Sequence, residues 1–296
     1  MTPGSPPGAS ARSAYLLLLP ALLIEVLFVF TPLASSLFYS LHRVRFFQLQ
    51  GWIGLQNYLD VVTDPNFLNA LLVTGAFSLI ALVLTFAVGF GLALLLNYDH
   101  ATSVLMRTIV LVPYVVAMLV GSLLLKWLLS MDAGLIPLAA AWAGMEIGTI
   151  LGDPHHAFAA LVANGIWRDS AFAMVLLLAG LRSIPLSLIQ AARMDGAGPL
   201  RILLEIILPL LRPVMLIAAA RLLLHFANVL TFPLILTGGG PNSATETVAL
   251  RIFRVGFEDY DLGRANAMAV VLAIFNIAAV GLLLFVFRKR GRTTHA

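Results

Sequence analysis

Long apolar runs, interrupted by glycine, proline and charged residues, extend along almost the whole chain. They fall near Tyr15 to Leu41, Ala70 to Leu96, Val104 to Leu129, Phe158 to Leu181, Val214 to Leu236 and Ala267 to Phe287. Several approach the roughly 20 residues a helix needs to cross a bilayer, whereas a buried strand of a soluble sheet lasts about 4 to 8. Hydrocarbon offers a backbone no hydrogen-bond partner, so spanning segments are helices or strands of a closed barrel. The alternating ten-residue pattern of a barrel is absent, and the runs predict an all-α integral membrane protein with six spans.

Composition agrees. Of 296 residues, 60% are hydrophobic and 11% charged, too few polar side chains to cover a water-soluble globule. The net charge of +4 comes from residues spread between the apolar runs, which reads as a topology signal and not as a nucleic-acid surface. No cysteine is present, so disulfides, thiolate metal sites and a thiol nucleophile are excluded.

An even number of spans puts both ends on one side, and the tail Arg288, Lys289, Arg290 and Arg292 assigns that side to the cytoplasm. Arg12, Arg107, Arg182, Arg193, Arg201 and Arg212 then fall on the same side, while Arg43, Arg45, Arg251, Arg254 and Arg264 fall outside. The acidic residues Asp60, Asp64, Asp132, Glu146, Asp153, Glu246, Glu258, Asp259 and Asp261 are outer as well. The expected organisation is a disordered cytoplasmic N-terminus (1–12), a six-span domain (13–287) with a cytoplasmic loop (182–211), and a basic cytoplasmic tail (288–296).

That loop carries the most specific pattern. Ser183 as N-cap and Pro185 in the first turn predict a short helix from Leu186, which Gly196 and Gly198-Pro199 end. A second short helix leads to Pro209. Leu186, Ile189 and Arg193 recur at helical spacing, with the small Ala191 and Ala192 between them. Amphipathicity alone fits two readings, a docking helix for another protein or a helix lying on the inner leaflet.

Gln190-Ala191-Ala192, three residues, Gly196, nine residues, Ile206, one residue, then Leu208-Pro209 resembles the EAA loop of the permeases of bacterial binding-protein-dependent ABC importers. Gln190 stands where that family usually has Glu, which keeps size and hydrogen bonding but removes the charge. Gly54-Leu55-Gln56-Asn57-Tyr58, Leu111-Val112-Pro113-Tyr114, Ile166-Trp167-Arg168, Leu236 to Pro241 and Thr245-Glu246-Thr247 extend the resemblance to the carbohydrate branch, near the first permease of maltose-type and glycerol-phosphate-type systems.

The resemblance implies a type I importer permease in the bacterial inner membrane. Its partners would be a second related permease, two cytoplasmic ATPase subunits and an extracytoplasmic solute-binding protein. ATP and Mg would sit on the ATPases, with no cofactor or metal on this chain. The implied coupling residues are Pro185, Ile189, Gln190, Ala191, Ala192, Arg193, Asp195, Gly196, Leu208 and Pro209.

Ionisable groups within a span are costly and face a bundle interior or a cavity, which singles out Arg168 with Asp169, Arg221, Lys126 and Glu25. Arg168, beside Trp167, fits three roles: holding the bundle together, meeting the partner permease, or lining the path. Adjacent helical residues point about 100° apart, so Arg168 and Asp169 are not expected to face each other squarely. Lys126 reads as snorkelling. Phe226, Asn228, Phe232 and Asn276 offer the aromatic faces and neutral hydrogen-bonding groups of a sugar site, though taken singly each fits ordinary helix packing better. The Gly238-Gly239-Gly240-Pro241 segment predicts a mobile or tightly turned outer loop.

An enzyme is disfavoured, since there is no HExxH and no histidine cluster beyond His155-His156. The chain also lacks GxxxxGK[ST], so an ATP-driven role requires a separate ATPase. The rival class is an ion-coupled secondary transporter.

Overall fold

The computed structural model describes residues 11–145 and 148–289; among these the regular structure is helical apart from one β-hairpin. The described residues form two compact units, one within 1–62 and 254–271, the other within 63–253 and 272–296.

In the first unit, α1 (Ala11–Glu25), a π turn (Val26–Phe30) and α2 (Thr31–Ser40) follow one another, and Leu18–Ser40 is long and apolar enough to span a membrane. Thr31 Oγ1 donates to Val26 O at 2.9 Å inside this stretch. Ala11 and Arg12 are already helical, where the sequence predicted a disordered end; residues 1–10 lie outside the described residues.

The hairpin pairs β1 (His42–Arg45) with β2 (Gln48–Trp52) in antiparallel register. It departs from the expected all-helical outline. Its two turn residues, Phe46 and Phe47, have φ of 49° and 60°, the geometry of a two-residue turn that normally takes Asn or Gly. Asn57, on α3 (Gln56–Thr63), donates to Ser40 O and His42 O at 2.8 and 2.9 Å and ties the hairpin's start to the helices.

The second unit is built on α4 (Pro65–Leu95) and α8 (Pro154–Arg182). Both begin with the same device: Asp64 accepts the Asn66 N–H at 3.0 Å, Asp153 accepts the His155 and His156 N–H groups at 2.9 Å, and a proline follows each cap. These polar caps start the helices several residues before the apolar runs at Ala70 and Phe158.

Glycines set the helix spacing. A Cβ on Gly89 would lie 2.4 Å from Ala173 Cβ and 2.9 Å from the Ser170 carbonyl, so α4 and α8 meet closely there, while one on Gly165 would lie 2.9 Å from Phe226, whose ring seats on that bare backbone. Phe77, Met174, Leu177, Leu222 and Phe226 are fully buried at these contacts.

The third apolar run is not one straight helix. It breaks into α5 (Ala101–Val115) and α6 (Met118–Leu128), bent by 94°, with Val116 and Ala117 extended between them. Pro113 shortens the ladder just before the break. A short helix α7 (Leu135–Trp142) follows; Glu146 lies outside the described residues.

After α9 (Leu186–Met194), the chain continues through α10 (Pro199–Ile202), a π turn (Leu203–Ile207) and α11 (Leu208–Asn228). Pro199–Asn228 forms a single 30-residue helical span, so the expected break at Pro209 does not occur. The wider π turn lies immediately before Pro209, whose ring would clash with the Glu205 carbonyl in an unbroken α ladder. The run expected to continue to Leu236 ends at Asn228, and α12 (Thr231–Leu236) is a separate helix.

Beyond α12, Thr237 to Thr247 is tightly turned: Thr245 Oγ1 lies 2.6 Å from Thr237 Oγ1 and donates to Gly240 O at 2.8 Å. Glu246 and Thr247 are buried, and Arg251, on α13 (Val248–Phe253), reaches Asp64 at 2.9 Å and Glu246 at 3.4 Å. The last long helix is α14 (Leu262–Lys289), within which Arg288 and Lys289 fall; Arg290 and Arg292 lie outside the described residues.

Candidate functional site

Arg168 is the central residue of the 29-residue helix α8, about 21 Å from either end at 1.5 Å per residue. The next residue, Asp169, is fully buried, in a place where a lone carboxylate would be prohibitively costly. Three basic side chains surround it. Arg168 Nη1 lies 3.3 Å from Oδ1, Arg221 Nη1 lies 3.8 Å from Oδ1, and His225 Nε2 lies 3.3 Å from Oδ2.

Arg168 thus does curl back onto its neighbour, which the angular spacing of adjacent residues did not predict. Arg221 and His225 are four apart on α11 and share a face; that spacing is the linear sign of His225, which hydropathy and charge alone do not single out.

The broken span supplies the rest of the cluster. A helix that ends inside a membrane leaves carbonyls without partners. Arg168 Nη2 reaches Tyr114 O, at the end of α5, at 3.4 Å, while its guanidinium lies 5.0 Å from the Tyr114 ring centre. Arg221 Nη2 reaches Tyr114 Oη at 3.4 Å and stacks over Phe172, 4.3 Å from the ring centre. A cation at a helix C-terminus also meets the negative end of its dipole.

Satisfaction is incomplete. Arg168 Nε, Arg221 Nη1, His225 Nε2 and Asp169 Oδ2 are buried with no aligned hydrogen bond. The Arg168 side chain is 14% exposed and the Arg221 side chain 38%.

The other path candidates divide. Phe226 and Phe232 are fully buried; Phe226 packs edge-on against Phe77 at 5.6 Å, and both phenylalanines are core residues in this structure. Asn228 and Asn276 are hydrogen-bonded to each other at 3.0 Å, and Asn228 also donates to Leu224 O at 2.7 Å. Trp167 is half exposed and points away from the ionic cluster, closing against Gly121 and lining an apolar groove with Leu124, Trp127 and Leu128. Lys126 is exposed in the last turn of α6.

A second feature is α9. Its N-cap is Pro185, not Ser183, whose hydroxyl turns back to donate to Gly180 O at 2.7 Å and closes α8. Its C-terminus is a Schellman motif: Gly196 has φ of +80°, its N–H bonds Arg193 O at 3.0 Å, and the Ala197 N–H bonds Ala192 O at 2.9 Å. Asp195 is the C-cap.

Ile189 is half-buried and packs on the core, so it does not belong to an outward face. The exposed stripe is Leu186, Gln190, Arg193 and Met194, at the i, i+4, i+7, i+8 positions of one helix face, with Ala191 exposed beside it. Leu208 and Pro209 line a groove with Leu204, Arg212 and Phe287.

These features define a class: a polytopic helical membrane protein with a span broken beside a buried ionic cluster and a short helix with an exposed face. Residues 86–292 match the family described as binding-protein-dependent transport system inner membrane component, and the chain belongs to that family. It is similar to the trehalose/maltose transport system permease protein MalF of Thermococcus litoralis, with 32% identity covering 94% of this chain and 95% of the relative. The sn-glycerol-3-phosphate transport system permease protein UgpA of Yersinia pestis bv. Antiqua is 33% identical, covering 97% of each chain. The fold matches a chain of a bacterial ABC transporter involved in the import of alginate, with a TM-score of 0.82, 22% identity and 93% of this chain covered.

Proposed function

We propose that this chain is one of two related permease subunits of an ATP-driven importer for a sugar or sugar-like solute: an oligosaccharide, a disaccharide or a glycerol-phosphate ester. Both termini face the cytoplasm, a binding protein delivers solute from the outside, and two separate ATPase subunits bind ATP and Mg. Closure of the ATPases moves α9, and the bundle alternates between outward and inward access. Family membership and the solutes named for the relatives support the transport class.

The observation that carries the coupling role is the outward stripe Leu186, Gln190, Arg193 and Met194 on a helix fixed at its end by Gly196. An apolar stripe interrupted by Arg and Gln presents the mixed chemistry of a protein cleft. Gln190 keeps a hydrogen-bonding group there without a charge.

Gly196 is the test. Its φ of +80° is costly for a β-branched residue, by about 1–3 kcal/mol, whereas Asn tolerates it. In the reconstituted complex, Gly196→Val is expected to leave ATP hydrolysis running while uptake falls, and Gly196→Asn to retain most uptake. Equal uptake by the Val variant and the unmodified chain would remove α9 from the coupling path.

A further inference from the structure

Between the first span and α4 lies a segment whose surface chemistry the transport role leaves unexplained. At 3.6 residues per turn, α3 and the residue before it divide into three faces. Asn57 and Val61 are buried. Gln56, Asp60 and Thr63 are exposed and polar, and Gln56 Nε2 donates to Asp60 Oδ1 at 2.8 Å. Leu55, Leu59 and Val62 are exposed and apolar, and fall within about 60° of one another around the axis. Leu55 belongs to this face because its carbonyl accepts the Leu59 N–H at 3.1 Å and so opens the helix. A surface helix of a soluble protein needs two faces, one on the core and one in water. The third face of α3 needs an apolar neighbour of its own.

Hydrogen bonds fix where the helix sits. Its first turn is clamped on the last residue of the first span: Asn57 Nδ2 donates to Ser40 O at 2.8 Å, and Ser40 Oγ lies 2.6 Å from Tyr58 Oη. Thr63, its last residue, stands two positions before Pro65, which opens the next span. Both ends of a helix about 12 Å long are thus held at the ends of membrane spans, so it runs along the membrane edge and not away from it. Trp52 continues the apolar face. Its side chain is 65% exposed, its ring packs on His42 at 5.0 Å, and His42 packs on Phe38 at 4.1 Å, in the last turn of α2. The row of rings runs from the exposed surface of the span to Trp52, and tryptophan is a side chain that concentrates at the membrane–water boundary.

From this geometry we infer that α3 is an interfacial helix. Trp52, Leu55, Leu59 and Val62 rest on the bilayer at the boundary between headgroups and acyl chains, while Gln56, Asp60 and Thr63 face water. The leaflet is the outer one in the orientation proposed above; the contact with lipid does not depend on that orientation. Pinned to lipid along one face, the segment holds the outer ends of the first two spans at a fixed depth.

The chain has no cysteine, so single cysteines can be introduced on each face. Gln56→Cys, Leu59→Cys and Val62→Cys are labelled with a nitroxide in the full chain, purified with the subunits that accompany it and reconstituted in phosphatidylcholine vesicles. The unmodified preparation, treated in parallel, supplies the background. Collisions are measured with oxygen, which concentrates in hydrocarbon, and with a water-soluble nickel chelate. The oxygen-to-nickel ratio is expected to be several times higher at Leu59 and Val62 than at Gln56. A second measurement needs no label: the fluorescence lost in Trp52→Phe is expected to be the part quenched by phospholipids brominated high on the acyl chain and spared by aqueous iodide.

Equal ratios at the three positions, with nickel reaching all of them, would place the stripe in water and overturn the assignment. Labels at Leu59 and Val62 shielded from both reagents would give that face to another protein subunit and overturn it as well. Quenching of Trp52 by iodide and not by brominated lipid would contradict it from the unlabelled side.

Discussion

Asp169 is where the electrostatics of the chain concentrate. Replacing it by Asn keeps the shape and leaves two guanidinium groups facing each other without a counter-charge in a buried place. Breaking a buried pair in this way costs about 3–5 kcal/mol, so Asp169→Asn is expected to lower the melting temperature of the solubilised chain markedly. An unchanged melting curve would show that the arginines are neutralised elsewhere. Arg168→Ala removes the donor to the free Tyr114 carbonyl and is expected to reduce uptake. Asp153 illustrates a carboxylate at the membrane edge: the His156 N–H holds its carboxyl below its ordinary value of 3.8. Its stabilising contribution is therefore complete above that ordinary value and is lost as pH falls through the lowered one. Asp153→Asn should alter the acid limb of a stability profile below about pH 4 and leave the region from pH 5 to 8 flat.

At the scale of elements, what could be read from the sequence depended on how local the cause was. Gly196 and Gly198-Pro199 announced the end of α9 because a Schellman cap is local chemistry. Asp64-Pro65 and Asp153-Pro154 carry equally local cap signals, but they are polar and lie outside the apolar runs, whose limits therefore place the helix starts late. The hairpin turn at Phe46-Phe47 had no Asn-Gly or Asp-Gly to mark it; its left-handed backbone goes with contacts supplied from far along the chain, as Phe46 N bonds Tyr260 O at 2.9 Å and Arg45 pairs with Asp261 at 3.1 Å. The break between α5 and α6 was likewise hidden inside an unbroken apolar run, and is accompanied by the tertiary contact from Arg168. The direction of Ile189 could not be read from spacing either, because an amphipathic helix shows which residues share a face and not which face the core takes. Close packing of α4 on α8 yields another prediction: Gly89→Leu would drive a side chain into Ala173 and the Ser170 carbonyl and should abolish accumulation of the folded chain, assayed by fluorescence-detected size exclusion.

For the whole molecule, length and hydropathy were enough for the class, and the family comparison agrees with it. The ionic cluster was partly legible: Arg168, Asp169 and Arg221 stood out as charges within apolar runs, while their convergence with His225 and Tyr114 depends on three helices meeting and has no linear signature. Orientation is testable directly because the chain has no cysteine. Met194→Cys, on the exposed face of α9, is expected to react with an impermeant maleimide only after the membrane is opened, and Asn242→Cys in intact cells. The reverse pattern would invert the topology.

The central claim, that this chain moves solute as part of an ATP-driven complex, is tested most directly by purifying it in mild detergent from its native host with whatever proteins accompany it. The complex is then reconstituted and solute accumulation measured with ATP alone and with an ion gradient alone. The account predicts a second permease and an ATPase in the preparation and accumulation that follows ATP. A chain that purifies without an ATPase and moves solute on the ion gradient alone would contradict it and assign the protein to the secondary transporters.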